Sequence, residues 1–435
     1  MLDQLELQSG FARRWLLESP MMTRDEDIAA SYAILHRFYD FVNQVEPLYV
    51  NTLNNKLCGL KDIRTTIKNL YNHAVLDDIE LFEVKHLAIL TTDVSLLLAE
   101  HGMADVVAIP DLEQVINILD PDGLKIATFY IYDSYCAQLK DLRVQMRQHP
   151  EQQDDLLIQA SELEDGVRKD LCSQLHPFAA AIELAQVALA SIDVNLAKAM
   201  QMKQWGLTFP TLSPDGTSSY EAMFHPQVKE ALASRGMAFQ PVSVRFGSYP
   251  TLITGANMGG KTVVLKTLTL CQLLAQFGFG IPAATAQIAV KDEIYFCIGD
   301  EQSVEKGLSS FAAEMKNIDA VIKASRENKR ILALIDEPAR TTNPTEGTAL
   351  VTALLKVLEN GNLSLVMTTH YDIEPGKARC LRVKGFENGK MDYQLVEVQD
   401  GEVPREALNI AQSLGIDSEW IETARILLET SNQHQ

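Results

Sequence analysis

What this 435-residue chain lacks narrows the field first. Its six cysteines (Cys58, Cys136, Cys172, Cys271, Cys297 and Cys380) are scattered, with no C-x-x-C pair and no histidine at ligand spacing. That distribution argues against a disulfide framework or a zinc site and points to a reducing, cytoplasmic setting. No apolar run approaches the roughly 20 residues that a membrane span needs, and Met1-Leu-Asp-Gln-Leu-Glu lacks the basic start of a signal peptide. No membrane partner is therefore expected. Positive charge is also short: 38 Lys and Arg stand against 58 Asp and Glu, a net charge of −20. Such a field repels phosphate backbones at long range, so contact with nucleic acid would need a local basic patch. Hydrophobic residues make up 46% of the chain, which excludes global disorder.

Against these absences stands one dense stretch. Gly255-Ala-Asn-Met-Gly-Gly-Lys-Thr262 meets the phosphate-loop pattern G-x-x-x-x-G-K-[ST] at every required position. It follows the apolar run Thr251-Leu-Ile-Thr254 and precedes what reads as the opening of a helix. Gly255 and Gly260 let the backbone curl so that successive N–H groups face phosphate oxygens, and the helix adds its positive end. Lys261 is placed to reach the β- and γ-phosphates, and the Thr262 hydroxyl to bind Mg²⁺. The residues imply a nucleoside triphosphate, read as ATP with Mg²⁺.

A second half of the site follows in order. The apolar strand Ile331-Leu-Ala-Leu-Ile335 ends in Asp336-Glu337, 75 residues after Lys261. A carboxylate at such a strand end suits a metal, hence Asp336; Glu337 is the candidate to orient or deprotonate the attacking water. A later strand, Ser364–Thr368, leads into Thr369-His370, and His370 is read as a hydrogen-bond donor to the γ-phosphate.

The organisation around these motifs falls into three parts. Residues 1–221 read as helical, with one long amphipathic helix carrying Phe178, Ile182, Ala185, Leu189, Ile192, Leu196 and Ala199 at spacings of three and four. Within this part, residues 148–170 are acidic, a solvated face or else a surface for a basic partner. Residues 222–400 alternate strands (Ser243–Phe246, Tyr249–Thr254, Gln287–Val290, Glu293–Ile298, Ile331–Ile335, Ser364–Thr368) with helices. That alternation predicts an α/β P-loop NTPase with a mostly parallel sheet, preceded by the all-α lever or core domain. Residues 401–435 read as a helical hairpin around Gly415, with Asp417 as a helix cap.

Taken together, Gly255–Thr262 with its Asn257-Met258-Gly259-Gly260 core, Gly299-Asp-Glu-Gln-Ser303, Leu308–Met315, Asp336-Glu337, Asn343-Pro-Thr-Glu-Gly347 and Thr368-Thr-His-Tyr371 resemble the ATPase domain of the MutS family, a branch of the ABC-type ATPases. The resemblance is strong over about 250–375 and weaker outside it. It implies a homodimer in which each nucleotide is sandwiched between one phosphate loop and the partner's signature segment, with Ser309 reaching the γ-phosphate across the dimer. It further implies that Asn257 lines the phosphate pocket, that Phe239 stacks on adenine (a core Phe is the alternative), and that the closing hairpin dimerises the chain. Ala256, Val263 and Pro338-Ala339 depart from the family's usual residues without removing a catalytic group.

The resemblance also exposes gaps. No Phe is followed two positions later by Glu, the wedge of the mismatch-reading domain, and the 145–175 interval is too short and too acidic for a DNA clamp. Two functions follow: an ATP-driven switch in mismatch-repair or recombination-type DNA metabolism, or a protein-remodelling ATPase without direct DNA contact. The second has its nearest precedent in small MutS-like proteins associated with cobalamin-dependent aminomutases.

Overall fold

The computed structural model describes residues 2–126, 128–148, 153–255, 260–298, 310–359, 361–387, 390–398, 408, 411–412 and 415–432. They form two compact units, the first Met1–Pro20 with Ala33–Gln204, the second Met21–Tyr32 with Trp205–Gln435.

The first unit is helical. Its described helices are α1 (Gly10–Glu18), α2 (Asp25–Gln44, from Ala33 onward), α3 (Pro47–Leu57), α4 (Arg64–Tyr71), α5 (Asp78–Glu100), α6 (Glu113–Leu119), α7 (Ala137–Gln148), α8 (Gln153–Leu175) and α9 (Ala179–Trp205). The expected stripe on α9 is buried at Ile182, Ala185, Leu189, Ile192, Leu196 and Ala199, but burial goes further. From Ala188 to Ala199 nearly every residue is enclosed, so α9 is a central helix rather than a one-sided amphipathic one. This corrects the membrane reading in one respect. The helical stretch Asp154–Trp205 is, by length and composition, the one described segment apolar enough to cross a membrane, and over half of its most apolar window is buried inside the protein.

Polar groups in this unit are tied off locally. Ser9 caps α1 by accepting the Ala12 N–H at 3.0 Å, while the Asp193 carboxylate of α9 accepts the Ser9 N–H and hydroxyl, both at 2.9 Å. α5 starts with a reciprocal capping box between Asp77 and Glu80. In the core, Lys85 donates to Asp120 at 3.1 Å and to the Tyr132 hydroxyl at 2.9 Å, both charged side chains being fully enclosed.

The second unit is built on two sheets. β4 (Thr251–Thr254), β6 (Glu293–Ile298), β7 (Ile331–Asp336), β8 (Leu363–Thr368), β9 (Arg379–Glu387) and β10 (Lys390–Val398) form one, in the order β10-β9-β4-β8-β7-β6. Every pairing is parallel except that of β10 with β9. All six residues of β7 and of β8 are buried, the near-continuous apolar run expected of central parallel strands covered on both faces. The helices of this layer are α10 (Pro226–Ala233), α11 (Lys261–Gln276), α12 (Ser310–Ala324) and α13 (Pro344–Leu358). Val321, Ile331, Ala333, Val351, Leu355 and Leu365 pack into one core beneath the sheet.

Two features go beyond the sequence reading. A second, four-stranded sheet, β1 (Thr211–Leu212), β5 (Thr285–Ile288), β2 (Ser218–Met223) and β3 (Val242–Phe246), has the order β1-β5-β2-β3 with both pairings of β2 antiparallel. The main sheet also gains the antiparallel β9–β10 pair, which sequence periodicity missed. At the end of the chain, α14 (Ser418–Asn432) begins with the Asp417 carboxylate accepting the Trp420 N–H at 3.0 Å. Most of the segment expected to form the other arm of the hairpin, 406–414, lies outside the described residues.

Candidate nucleotide site

Because β4, β7 and β8 run parallel with β8 between the other two, their C-terminal ends meet on one edge of the sheet. Gly255 follows β4, Asp336 ends β7 and Thr368 ends β8. α11 opens directly above, with Gly260 at its N-cap. Gly260 has φ +75°, and a Cβ there would come within 3.2 Å of the Tyr393 ring, so only glycine fits both the backbone and the space.

The predicted metal ligands lie together. The Thr262 hydroxyl donates to Asp336 Oδ2 at 2.7 Å. The other carboxylate oxygen, Oδ1, accepts from the Thr368 hydroxyl at 2.6 Å, and the same Thr368 oxygen accepts the Glu337 N–H at 2.9 Å. Thr368 is fully buried and thus links the two acids, one through its side chain and one through its backbone. Lys261, almost fully enclosed, donates to the Gly255 carbonyl at 2.8 Å and lies 3.1 Å from Glu337 Oε1. Glu337 Oε2 is 3.9 Å from both His370 Nδ1 and Arg340 Nη1. Burial pushes the His370 pKa below its ordinary value, keeping the ring neutral near pH 7, and its buried Nδ1 has no hydrogen-bond partner among the described residues. The unpartnered ring nitrogen thus lies near the Glu337 carboxylate, which in turn faces the enclosed Lys261.

Beside the glycine turn is a cavity of about 340 Å³ lined by Val228, Leu232, Met237, Phe239, Gly260, Val263 and Tyr393, among others. Its walls are mostly apolar, as suits the faces of a heterocyclic base. Phe239, half-buried in the loop before β3, is one wall. Tyr393, carried where the β9–β10 register shifts between Asp392 and Leu395, is another.

The Asn343–Gly347 motif has a local explanation. Asn343 Oδ1 accepts the Thr345 N–H at 2.9 Å and caps α13, with Pro344 in the first turn. A Cβ on Gly347 would lie 2.2 Å from the Tyr371 hydroxyl, so this glycine makes room for the residue after His370.

Of the residues singled out by sequence, Gly255, Gly260, Lys261, Thr262, Asp336, Glu337 and His370 fall around one point, and Phe239 lines the adjoining cavity with Gly260. Asn257, Met258, Gly259 and Ser309 lie outside the described residues. Thr368 and Tyr393 were not singled out. Thr368 sits within the Thr-Thr-His string and could have been found as a hydroxyl at a strand end, whereas nothing in the sequence near Tyr393 marks it.

The donor set suits the implied group. Thr262 and Asp336 supply hard oxygen ligands of the kind Mg²⁺ takes, beside a helix N-terminus and an enclosed lysine for phosphate. Comparison with known proteins bears on the family. Residues 251–429 match the family model of MutS domain V. The chain is 32% identical over 289 residues to Endonuclease MutS2 of Finegoldia magna, covering 64% of this chain and 36% of that protein. Endonuclease MutS2 of Lactiplantibacillus plantarum is 32% identical over 278 residues (62% of this chain, 34% of that protein), and that of Clostridium botulinum strain ATCC 19397 is 34% identical over 251 residues (55% and 31%). The chain thus matches about a third of the length of these relatives. With the acid pair and histidine placed as described, residues 251–429 belong to the MutS domain V family.

Proposed function

We propose that this chain binds ATP with Mg²⁺ at the Gly255–Thr262 loop and hydrolyses it to ADP and phosphate, as a homodimeric switch in DNA metabolism. The observation that carries the reading is the meeting of Thr262, Asp336, Lys261, Glu337 and His370 at one edge of a parallel sheet. Thr262 and Asp336 would hold the metal, which would supply positive charge against that developing on the phosphate oxygens. Lys261 turns from Glu337 to the β- and γ-phosphates. Glu337, once released, orients water and accepts its proton, and neutral His370 donates a hydrogen bond to the γ-phosphate. Phe239 stacks on the base, with Tyr393 closing the other side of the cavity. Asn257, Met258 and Gly259 complete the phosphate cradle, and Ser309 of each subunit completes the other's site. α14 supports dimerisation through its apolar side chains, with Trp420 70%, Ile426 57% and Leu427 63% exposed.

The name of the relatives, Endonuclease MutS2, favours DNA as the client. A protein client is the second reading, and the net charge of −20 favours it. So does the four-residue interval, 149–152, between α7 and α8, which leaves no room there for an inserted clamp.

ATP turnover measured alone and with duplex, mismatched and branched DNA across a salt series tests the proposal. Stimulation that fades steeply with salt supports a DNA client, because phosphate contacts are salt-dependent. Turnover indifferent to every DNA supports a protein client. Lys261→Ala should lose nucleotide binding and Glu337→Gln should bind ATP without turning it over; a Glu337→Gln variant working at the wild-type rate would refute the assigned base.

A further inference from the structure

The loop that carries Glu337 has a conformation its own residues do not favour. Glu337 has φ +44° and Ala339 φ +60°, both in the left-handed region where an L-residue with a Cβ is strained. Neither residue is glycine, so the conformation must be imposed from outside.

Three side chains, one from α12 and two from the end of β8 and the turn after it, impose it. Glu314, on the second turn of α12, accepts the Ala339 N–H at 2.9 Å through Oε1. Tyr371, just past the end of β8, donates its hydroxyl to the Ala339 carbonyl at 2.7 Å. Thr368 accepts the Glu337 N–H. The backbone of Ala339 is gripped at both polar ends, and Gly347 leaves the space in which Tyr371 does so. Glu314 is half-buried and burial raises its pKa, although the Ala339 N–H and nearby Arg340 act the other way. It is spent on one backbone hydrogen bond rather than displayed to solvent.

We propose that Glu314 is a positioning residue for ATP hydrolysis: by clamping Ala339 in its left-handed conformation it sets the direction of the Glu337 carboxylate. This rests on the reading of Glu337 as the general base. The clamp also joins α12 to the base, so a displacement of that helix is felt two residues from the reacting carboxylate. It acts through geometry, not through contact with nucleotide, so it governs turnover rather than affinity.

The test compares Glu314→Ala, Glu314→Gln, Ala339→Gly and the double variant Glu314→Ala/Ala339→Gly by kcat and KM for ATP, ADP affinity, and amide hydrogen exchange across residues 337–342. Glu314→Ala should lower kcat by about 10- to 100-fold, the effect of a small misplacement of a reacting group, and leave KM and ADP affinity within about twofold. Glu314→Gln keeps an acceptor oxygen and should keep turnover within about threefold of wild type. In the double variant glycine adopts φ +60° unaided and should restore part of the lost kcat. Exchange at Ala339 should quicken in Glu314→Ala and not in Glu314→Gln. Wild-type kcat in Glu314→Ala, unchanged exchange there, or equal loss in Glu314→Gln would overturn the clamp. Glu337→Gln run alongside separates the two ideas. Full turnover by it removes the reading of the base, and a dead Glu337→Gln beside a fully active Glu314→Ala removes the clamp alone.

Discussion

Each unit of this protein buries a lysine 3.1 Å from a carboxylate, and the two pairs differ in what surrounds them. In the first unit Lys85 and Asp120 are wholly enclosed, and their remaining valences are met by Tyr132 and by the Lys125 N–H, which donates to Asp120 at 2.7 Å. Burial alone would raise the Asp120 pKa, but the Lys125 N–H and Lys85 outweigh it and hold the group below its ordinary value. In the second unit Lys261 faces Glu337 across 3.1 Å, with Glu337 partly open, its backbone left-handed, and a buried histidine nitrogen nearby without a partner. A closed, saturated pair is architecture. A pair with a left-handed carboxylate residue, beside an unmet ring nitrogen, is where the proposed site lies.

Breaking each pair sharpens that contrast. Lys85→Ala strands Asp120 in the core and should cost about 3–5 kcal/mol of stability, read from denaturant unfolding. Lys261→Met should shift stability by no more than about 1 kcal/mol while abolishing nucleotide binding, because its partner keeps access to water. Equal destabilisation by the two would erase the distinction. Gly347→Ala drives a methyl into the Tyr371 hydroxyl and should cost about 1–3 kcal/mol by overpacking, together with a fall in kcat.

A third buried lysine tests the architectural side alone. Burial lowers the pKa of Lys198, on α9, from 10.5 to about 7. Between those values the unfolded chain holds a proton that the folded chain has released, so this group makes stability rise from about pH 7 towards about pH 10.5. Below pH 7 both states hold the proton and its contribution is flat. Unfolding of Lys198→Met against wild type across that range should therefore show the difference narrowing as pH rises; a constant difference would contradict it. Smallest of all should be the exposed pair Arg379–Glu397 at 3.0 Å, where Glu397→Gln is expected to change stability by less than about 1 kcal/mol.

How much of this was legible beforehand follows from what is local in sequence. The phosphate loop, the apolar strand ending in two acids and the strand leading to His370 are contiguous strings, each explained by residues a few positions apart. Sheet order is not local. β8 lies between β4 and β7, and only that arrangement turns Thr368 into a bridge between Asp336 and Glu337 beside the loop that follows β4. The β9–β10 pair was missed because its strands, lying at one edge of the sheet, carry charged and polar residues such as Arg379, Lys384, Asp392 and Glu397. With it went Tyr393. The left-handed backbone at Glu337 and Ala339 was also invisible, since neither residue is the glycine that announces such a turn. α9 illustrates the converse. Its heptad-like stripe is buried from Ile182 to Ala199, whereas Phe178 lies half-buried in the turn before the helix; alanines between the stripe positions allow close packing all round, and pattern alone does not separate that from one-sided burial.

The Lys261–Glu337 contact has a consequence for affinity. On the proposed function Glu337 is an internal ligand for Lys261, tethered where an incoming phosphate would go, and a tethered group competes at high effective concentration. Nucleotide binding therefore carries the work of evicting it, and the carboxylate becomes free to act on water only once that eviction has occurred. Arrival of fuel and arming of the base are one exchange of partners around a single ammonium group.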